Sequence, residues 1–374
     1  MKKLLLILAI IILFFIEGNT PNTTDSSLTN EAEDSPSIFE KLEIGFHKLI
    51  ENIDLPWLKE PIEFFGDEKN PPEEDDTQNS KDLMLDLPDQ QSYSIYNIEI
   101  GDGKDEVEKL HGEAKRISLN EYGTDWHIYH DNYRDFFMVA YDENEKVAGI
   151  YTNHEILSSV NGITIGTTTR EEIESMYGKG LDGILKNHIR YLFPEERDFE
   201  VYFENGNYIT FFFDKFENNT LTAIQIISET LEERKQGYYG EASNDLMEGF
   251  ELQLYDLTNA TRVLHGLEPL SWDEHVRVTA RKHSQDMAEN NYFSHTSLDG
   301  KTPFDRMKED DIFFLLAGEN LAYGQFSSIF AHEGLMNSEG HRENILQPEY
   351  EFLGVGVAFN NKNQPFFTEN FYAK

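Results

Sequence analysis

Apolar positions change their spacing three times along this chain. Residues Leu4 to Ile16 form an unbroken apolar run behind Lys2 and Lys3, and Glu17 ends it. From Glu17 to about Asp89 apolar residues are sparse, and Pro, Asp, Glu, Asn, Ser and Thr dominate, as in "GDEKNPPEEDDTQNSKD". Such a stretch cannot bury enough apolar surface to offset its ordering entropy, so residues 21–92 read as a mostly disordered acidic spacer. One part of it differs. Phe39, Leu42, Phe46, Leu49, Ile50 and Ile53 fall near helical spacing and predict a short amphipathic helix.

From residue 93 to 230 the pattern doubles. "IEIGDGKDEVEKLHG" (98–112) and "ITIGTTTREEIESMYG" (163–178) each give a short strand, a glycine and an amphipathic helix that stops at Gly112 or Gly178. Val107 and Leu110 match Ile173 and Met176 when one extra residue is allowed in the second copy. Strand-like runs follow both helices, broken by "DENEK" and "ENGN". Each copy therefore predicts a helix followed by an antiparallel meander, and the two together one α+β unit. Gly101 and Gly103 do not open a dinucleotide fingerprint, because Glu106 stands where the third glycine is needed.

Residues 231–243 are charged, carry two glycines and read as a linker. A third unit spans 244–374. Leu246, Phe250, Leu254, Leu257 and Leu264 mark one helix face that stops at Gly266. Ser271 and Glu274 have capping-box spacing for a second helix through Val276, Ala280, His283 and Met287. Thr302 and Pro303 predict a third helix start, and "SSIFAHEGLMN" a further helix. "FLGVGVAFN" and "PFFTENFYA" read as two strands joined by "NKNQ". Helices first and strands last predict helices packed on an antiparallel sheet, an α+β fold.

Charge and composition narrow the function. The formal net charge is −39, which excludes a nucleic-acid partner, since phosphate binding needs a Lys/Arg surface. It also excludes electrostatic docking on anionic lipid, so membrane contact is expected only through the N-terminal apolar segment. With no cysteine in the chain, disulfides, thiolate chemistry and Cys-ligated metals are excluded. The apolar run in residues 1–20 is short for a bilayer span of about 20 residues and fits an export signal. No clear cleavage site follows it, so a cleaved signal and an uncleaved anchor both stay open. Either places the rest of the chain outside the cytoplasmic membrane, and a cysteine-free exported chain suits a bacterial cell envelope.

Candidate chemistry gathers in the third unit, in "NNYFSHTSLDG", "LAGENLAYG" and "MNSEGHRENIL". His295, Glu319, Glu339 and His341 are residue types that hold a divalent cation such as zinc, or that orient one another as imidazole–carboxylate pairs. Spacing alone does not show that they converge, and buried hydrogen-bonded knots are the alternative. "HEGLM" opens like a zinc-protease helix, but Met336 fills the place of the second His.

On these residues the third unit resembles the CAP superfamily, the SCP or cysteine-rich secretory/antigen 5/pathogenesis-related domain, in a bacterial cysteine-free form. "FSHTSLDGKTPFDRM", "AGENLAYG", "NSEGHRENIL" and "FLGVGVA" occur in the family's order and spacing. The repeat unit, through "IGDGKDEVEKLHG" and "YGTDWHIYH", is similar to the CAP-associated domain that precedes such units. The resemblance implies an α-β-α sandwich with a cleft carrying two His and two Glu, which in some relatives bind zinc or another divalent ion. Its residues map onto His295, Glu319 and His341, with Glu339 as the second Glu and Glu333 as the alternative. Leu335 departs from the usual Trp, which implies altered packing beside the cleft. Glu369 stands where Gln is usual, and its charge belongs either to cation binding or to the acidic surface.

Three functions follow. First is an exported binding module whose cleft takes an extracellular ligand or cell-envelope partner, with the repeat unit docking a partner or covering the cleft. Second is a structural role at the cell wall. Third is a metal-assisted, peptidase-like hydrolase in which a Glu activates water. The tetrad lies beside no recognisable nucleophile, and that places catalysis last.

Overall fold

The two repeats fold as the pattern predicts, and they join at a seam. The computed structural model describes residues 84–374 apart from Asn187. The predicted export segment and the amphipathic stretch around Phe39–Ile53 lie outside the described residues. In the first copy, β1 (Tyr93–Ile95) leads to α1 (Lys104–His111), β2 (Arg116–Leu119), β3 (Asp125–Asp131), β4 (Arg134–Tyr141), β5 (Val147–Thr152) and β6 (Leu157–Ser159). In the second, α2 (Arg170–Tyr177) leads to β7 (Gly183–Lys186), β8 (Ile189–Leu192), β9 (Phe199–Glu204), β10 (Asn207–Asp214) and β11 (Thr220–Ser228). One seven-stranded sheet results, in the order β2-β3-β4-β5-β11-β10-β9. The last strand of each meander pairs antiparallel with the other, Ile224 opposite Thr152 and Ile226 opposite Ile150.

The matched helices repeat in detail. In each, a glutamate at the third position, Glu106 or Glu172, accepts from the backbone N–H of the residue before the helix, and in the second copy Thr169 completes a capping box that Gly103, without a side chain, leaves half made in the first; each ends at a glycine of positive φ, Gly112 or Gly178. Val107 and Ile173 are fully buried, as expected. Leu110 and Met176, read from spacing as part of the same buried face, stand exposed, because eight-residue helices lay only one turn on the sheet. The hairpin turn "ENGN" takes positive φ at Asn205 and Gly206, the geometry that suits the twist of paired strands.

The sheet buries both faces. One carries α1 and α2 over a cluster that includes Ile98, Val139, Phe211 and Phe213. The other, with Trp126, Phe136, Met138, Tyr151 and Phe212, packs on residues of the third unit: Leu257, Ala260 and Ile329. The spacer ends earlier than its composition suggests. Backbone N–H groups of Asp89, Gln90 and Gln91 donate to the Glu99 carboxylate at 2.6–2.9 Å, which ties them to the repeat unit. The expected linker likewise begins inside a short helix, α3 (Glu229–Arg234), where Leu231 and Glu232 are buried. Glu232 is neutralised there by Lys186, 2.5 Å away, and by Lys235.

The third unit is an α-β-α sandwich. Its elements are α4 (Asn244–Leu264), β12 (Ser271–Trp272), α5 (Glu274–Asn290), α6 (Pro303–Glu309), β13 (Leu316–Tyr323), α7 (Ser328–Met336), α8 (Glu339–Ile345), β14 (Phe352–Phe359) and β15 (Pro365–Ala373). The sheet order is β12-β14-β15-β13, antiparallel except for β12 on β14. Two starts were read from spacing, and one needs correction. Thr302 caps α6 and Pro303 opens it as expected. Ser271, however, lies in β12, and α5 is capped by Asp273, whose carboxylate accepts from Val276 N at 2.9 Å. Ser271 is held by strand pairing opposite Phe352, so the nearer carboxylate takes the cap.

Candidate functional site

Three segments present the predicted site. His295 sits in the loop after α5, Glu319 on the edge strand β13, and His341 in α8. Glu319 faces inward, its side chain only 1% exposed, and two groups hold it there. Arg306 of α6 donates from Nη2 to one carboxylate oxygen at 2.6 Å. His295 meets the other oxygen through Nδ1 at 2.9 Å. The Nδ1 facing this carboxylate carries a proton, and the ring as a whole is half exposed. Arg306 was not among the residues selected from the sequence. The available signal was its position with Pro303 and Met307 on the one buried face of α6, where an arginine needs a buried partner.

His341 lies near enough to His295 to feel its charge. Burial pushes its pKa below the usual histidine value, and the neighbouring His295 lowers it further. The ring is therefore neutral at pH 7, and its Nδ1 is buried without a hydrogen-bond partner. Glu339 stands exposed at the start of α8, without an ion-pair partner among the described residues. Glu333 is elsewhere. It is buried in α7 and accepts from Tyr151 Oη of the repeat unit at 2.7 Å, and burial raises its carboxyl to about 7. His332 is a core histidine. Its Nε2 meets Thr261 Oγ1 at 2.7 Å, and burial lowers its pKa to about 3.

Among the described residues no group of three or more His, Cys, Asp or Glu side chains stands placed to hold a metal ion. Glu319 spends both oxygens on Arg306 and His295, so it orients an imidazole and is not itself a free ligand. That leaves two imidazoles as candidate donors, fewer than the three protein ligands of an open catalytic zinc site.

The segment "NSEGHRENIL" carries the helix α8. Gly340 has helical geometry, and a Cβ there would meet nothing within 4 Å. What fixes the helix is the second repeat. Asn337, just before α8, donates to Phe213 O at 2.8 Å and accepts from Lys215 N at 2.9 Å. Arg342 donates to Asp214 at 2.6 Å and lies 5.5 Å over the Phe216 ring. Asn344 ties the far side to β13, donating to Asn320 Oδ1 at 2.9 Å. The repeat unit thus meets the third unit through α4, α7 and the ends of the α7–α8 joint, and His295 remains half exposed.

Glu369 is neither on the surface nor in the cleft. It is fully buried on β15, where Thr258 Oγ1 donates at 2.8 Å and Asn320 Nδ2 at 3.1 Å. Asn320 Nδ2 also donates to His341 O at 3.1 Å. Burial raises the Glu369 carboxyl to about 7, against a usual 4.5. Between those values the folded chain holds a proton that the unfolded chain has released. Stability is therefore full below about pH 4.5 and falls as pH rises to about 7. Glu369→Gln is expected to remove that slope and to be more stable at pH 8, by on the order of 2 kcal/mol. Denaturant titrations at pH 5 and pH 8 check it; equal stabilities of the two proteins at pH 8 would refute the assignment.

Comparisons with known proteins recognise both units. A CAP-associated N-terminal profile matches residues 100–238, and the cysteine-rich secretory protein family profile matches residues 255–371. The chain is 32% identical to the uncharacterized membrane protein YlbC of Bacillus subtilis (strain 168), over 73% of this chain and 82% of that one. The chain belongs to the cysteine-rich secretory protein, or CAP, family. Its CAP fold is shared with the crystal structure of an extracellular SCP-domain protein from Bacillus anthracis str. Ames. That match has 28% identity and a TM-score of 0.63, covering 77% of this chain and 98% of the other. A cysteine-rich secretory protein from Staphylococcus aureus Mu50 has the same fold at 16% identity, with a TM-score of 0.58, covering 78% and 98%. In this CAP protein Leu335 fills the core beside Phe250, Ala331 and Ile345, so a smaller side chain than Trp is accommodated by packing.

Proposed function

We propose that this CAP protein is an exported binding module of the bacterial cell surface, whose ligand is taken at the His295–His341 cleft. One observation carries the reading. Glu319, itself pinned by Arg306, fixes the half-exposed His295 ring near His341, whose pKa burial holds below the usual histidine value. Holding a buried carboxylate merely to aim an exposed ring is costly unless the ring has a task. A divalent cation such as zinc would be held by the imidazoles of His295 and His341, and would offer a Lewis-acid point to an oxygen-bearing ligand. The membrane-protein name of the Bacillus relative, the extracellular Bacillus anthracis neighbour and the apolar N-terminal run support placement outside the cytoplasmic membrane, tethered or released. The repeat unit, by gripping Asn337 and Arg342, serves to set the helix that carries His341.

Zinc titration of the protein by calorimetry tests this. Saturable binding at one site is expected, and a folded His295→Ala/His341→Ala variant is expected to lose it, a drop in affinity of at least about 100-fold. Folded protein that binds no zinc removes the cation from the proposal, and binding that survives in the double variant places the site elsewhere.

A further inference from the structure

A buried lysine–glutamate contact joins β7 to α3. The Lys186 side chain is 6% exposed and that of Glu232 5%. Lys186 Nζ donates to two main-chain carbonyls, Glu232 O and Lys235 O, each at 2.8 Å. The third position of the nitrogen is left for the Glu232 carboxyl, whose Oε1 lies 2.5 Å away. That contact lacks hydrogen-bond geometry, and Oε1 accepts no hydrogen bond. The amine is therefore pressed against the carboxyl group. Two reacting groups held this way act at a very high effective concentration.

The surroundings favour reaction between them. Tyr122, Tyr191, Tyr208, Phe326 and Phe330 line the cavity beside the pair and shield it from bulk water, which would favour both charges. Burial pulls Lys186 down to about 8, so the free amine is within reach at neutral pH. Burial also raises the Glu232 carboxyl, but Lys235 and Lys186 outweigh it and hold the group below its usual range. The proton that Glu232 needs is the one that Lys186 gives up. Lys235 Nζ stands 3.3 Å from the same Oε1, placed to stabilise negative charge on it. Glu121 is 3% exposed, and its Oε2 has no hydrogen-bond partner. It lies near enough to feel Lys235 and Glu232, and burial pushes it up to about 7, which suits a group that takes and returns protons. The cavity, about 40 Å³, has room for a released water.

We propose that Lys186 and Glu232 condense into an intramolecular amide cross-link that ties β7 to α3. One proton of the Lys186 ammonium passes to Glu232 Oε2, and the nitrogen lone pair attacks Cδ. The C–N bond forms, and the carbonyl electron pair moves onto Oε1 beside Lys235. Glu121 relays a second proton from the nitrogen to Oε2. The Cδ–Oε2 bond then breaks, the carbonyl re-forms, and one water leaves. Nothing is oxidised, and no co-reactant is consumed. The product removes two charges that are costly to keep from water. In a chain without cysteine it constrains the unfolded state as a disulfide would. The cross-link is independent of the cleft reading.

Mass spectrometry of a tryptic digest of the full protein tests it. Residues 180–190 and 216–234 are expected as one joined species, lighter by one water than the two peptides together, with fragments that place the link on Lys186 and Glu232. Lys186→Met is expected to lose the joined species entirely, and Glu121→Gln to lower its yield at least tenfold. The parent digest decides the matter alone if neither variant folds. Cleavage after Lys186 in the folded parent, with residues 216–234 at full mass, overturns the proposal, as does a link to Lys235. A yield unchanged in folded Glu121→Gln overturns the relay.

Discussion

Arg306→Ala is expected to destabilise the protein by about 3–5 kcal/mol, because it strands a buried carboxylate. Glu319 has its side chain 1% exposed and takes one of its two hydrogen bonds from Arg306. Removal of the guanidinium leaves that charge facing a histidine and a space that water reaches poorly. Arg306 also donates to the carbonyls of His295 and Lys301, so the loop that presents His295 loses its inner support. Lysine is not expected to rescue the site, since a point charge cannot reach Glu319 and both carbonyls together. Denaturant unfolding gives the energy. The check on its cause is the double variant Arg306→Ala/Glu319→Gln, which lacks the stranded charge and is expected to recover at least 1 kcal/mol over the single variant. A single variant within 1 kcal/mol of the parent would show that water reaches Glu319 freely.

Gly356→Ala is expected to cost roughly 3 kcal/mol or more, from backbone collision and not from lost contacts. A Cβ at Gly356 would lie 2.0 Å from Arg281 N and 2.3 Å from Ala280 C, and one at Gly354 would lie 2.3 Å from Arg277 N. These are main-chain atoms of α5, so no rotamer change relieves the overlap. The whole helix must lift from β14. Ser284 Oγ then loses its bond to Gly356 O, now 2.9 Å, and Arg277 and Arg281 are drawn away from the Glu251 carboxylate of α4. Gly340→Ala is the control. That glycine is helical with open space around it, so alanine is expected to stabilise by up to about 1 kcal/mol. Thermal melts of the two variants decide it: similar behaviour would mean that α5 does not rest on the glycine pair.

The elements were legible in the sequence where local patterning decides them. The duplicated strand–glycine–helix pattern predicted paired units because each copy carries its own cap, apolar position and stop residue. Thr302 with Pro303 marked the start of α6, and the alternation in "FLGVGVAFN" and "PFFTENFYA" marked adjacent strands. Errors arose where a neighbour in space outweighed the local signal. Ser271 was drawn into a strand by Phe352, which left Asp273 to cap α5. Gly340 sits inside α8, which holds its course because Asn337 and Arg342 are held by the β10–β11 end of the repeat unit. Leu110 and Met176 fit the helical period yet stand in solvent, since a helix of two turns has too little length to bury both apolar positions.

By itself, the sequence determined the α+β class, the internal duplication and the family. These rest on spacing, capping and residue type, which are properties of neighbours along the chain. Only the tertiary structure decided the roles. It made Glu319 an orienting group, by delivering Arg306 to its second oxygen. It turned Glu333 toward Tyr151 and sealed Glu369 in the core, although in sequence each reads as one more acid in an acidic chain. The reason is physical: a carboxylate's charge, partner and pKa are set by burial and by groups that folding brings near, and neither is written in the spacing of its neighbours.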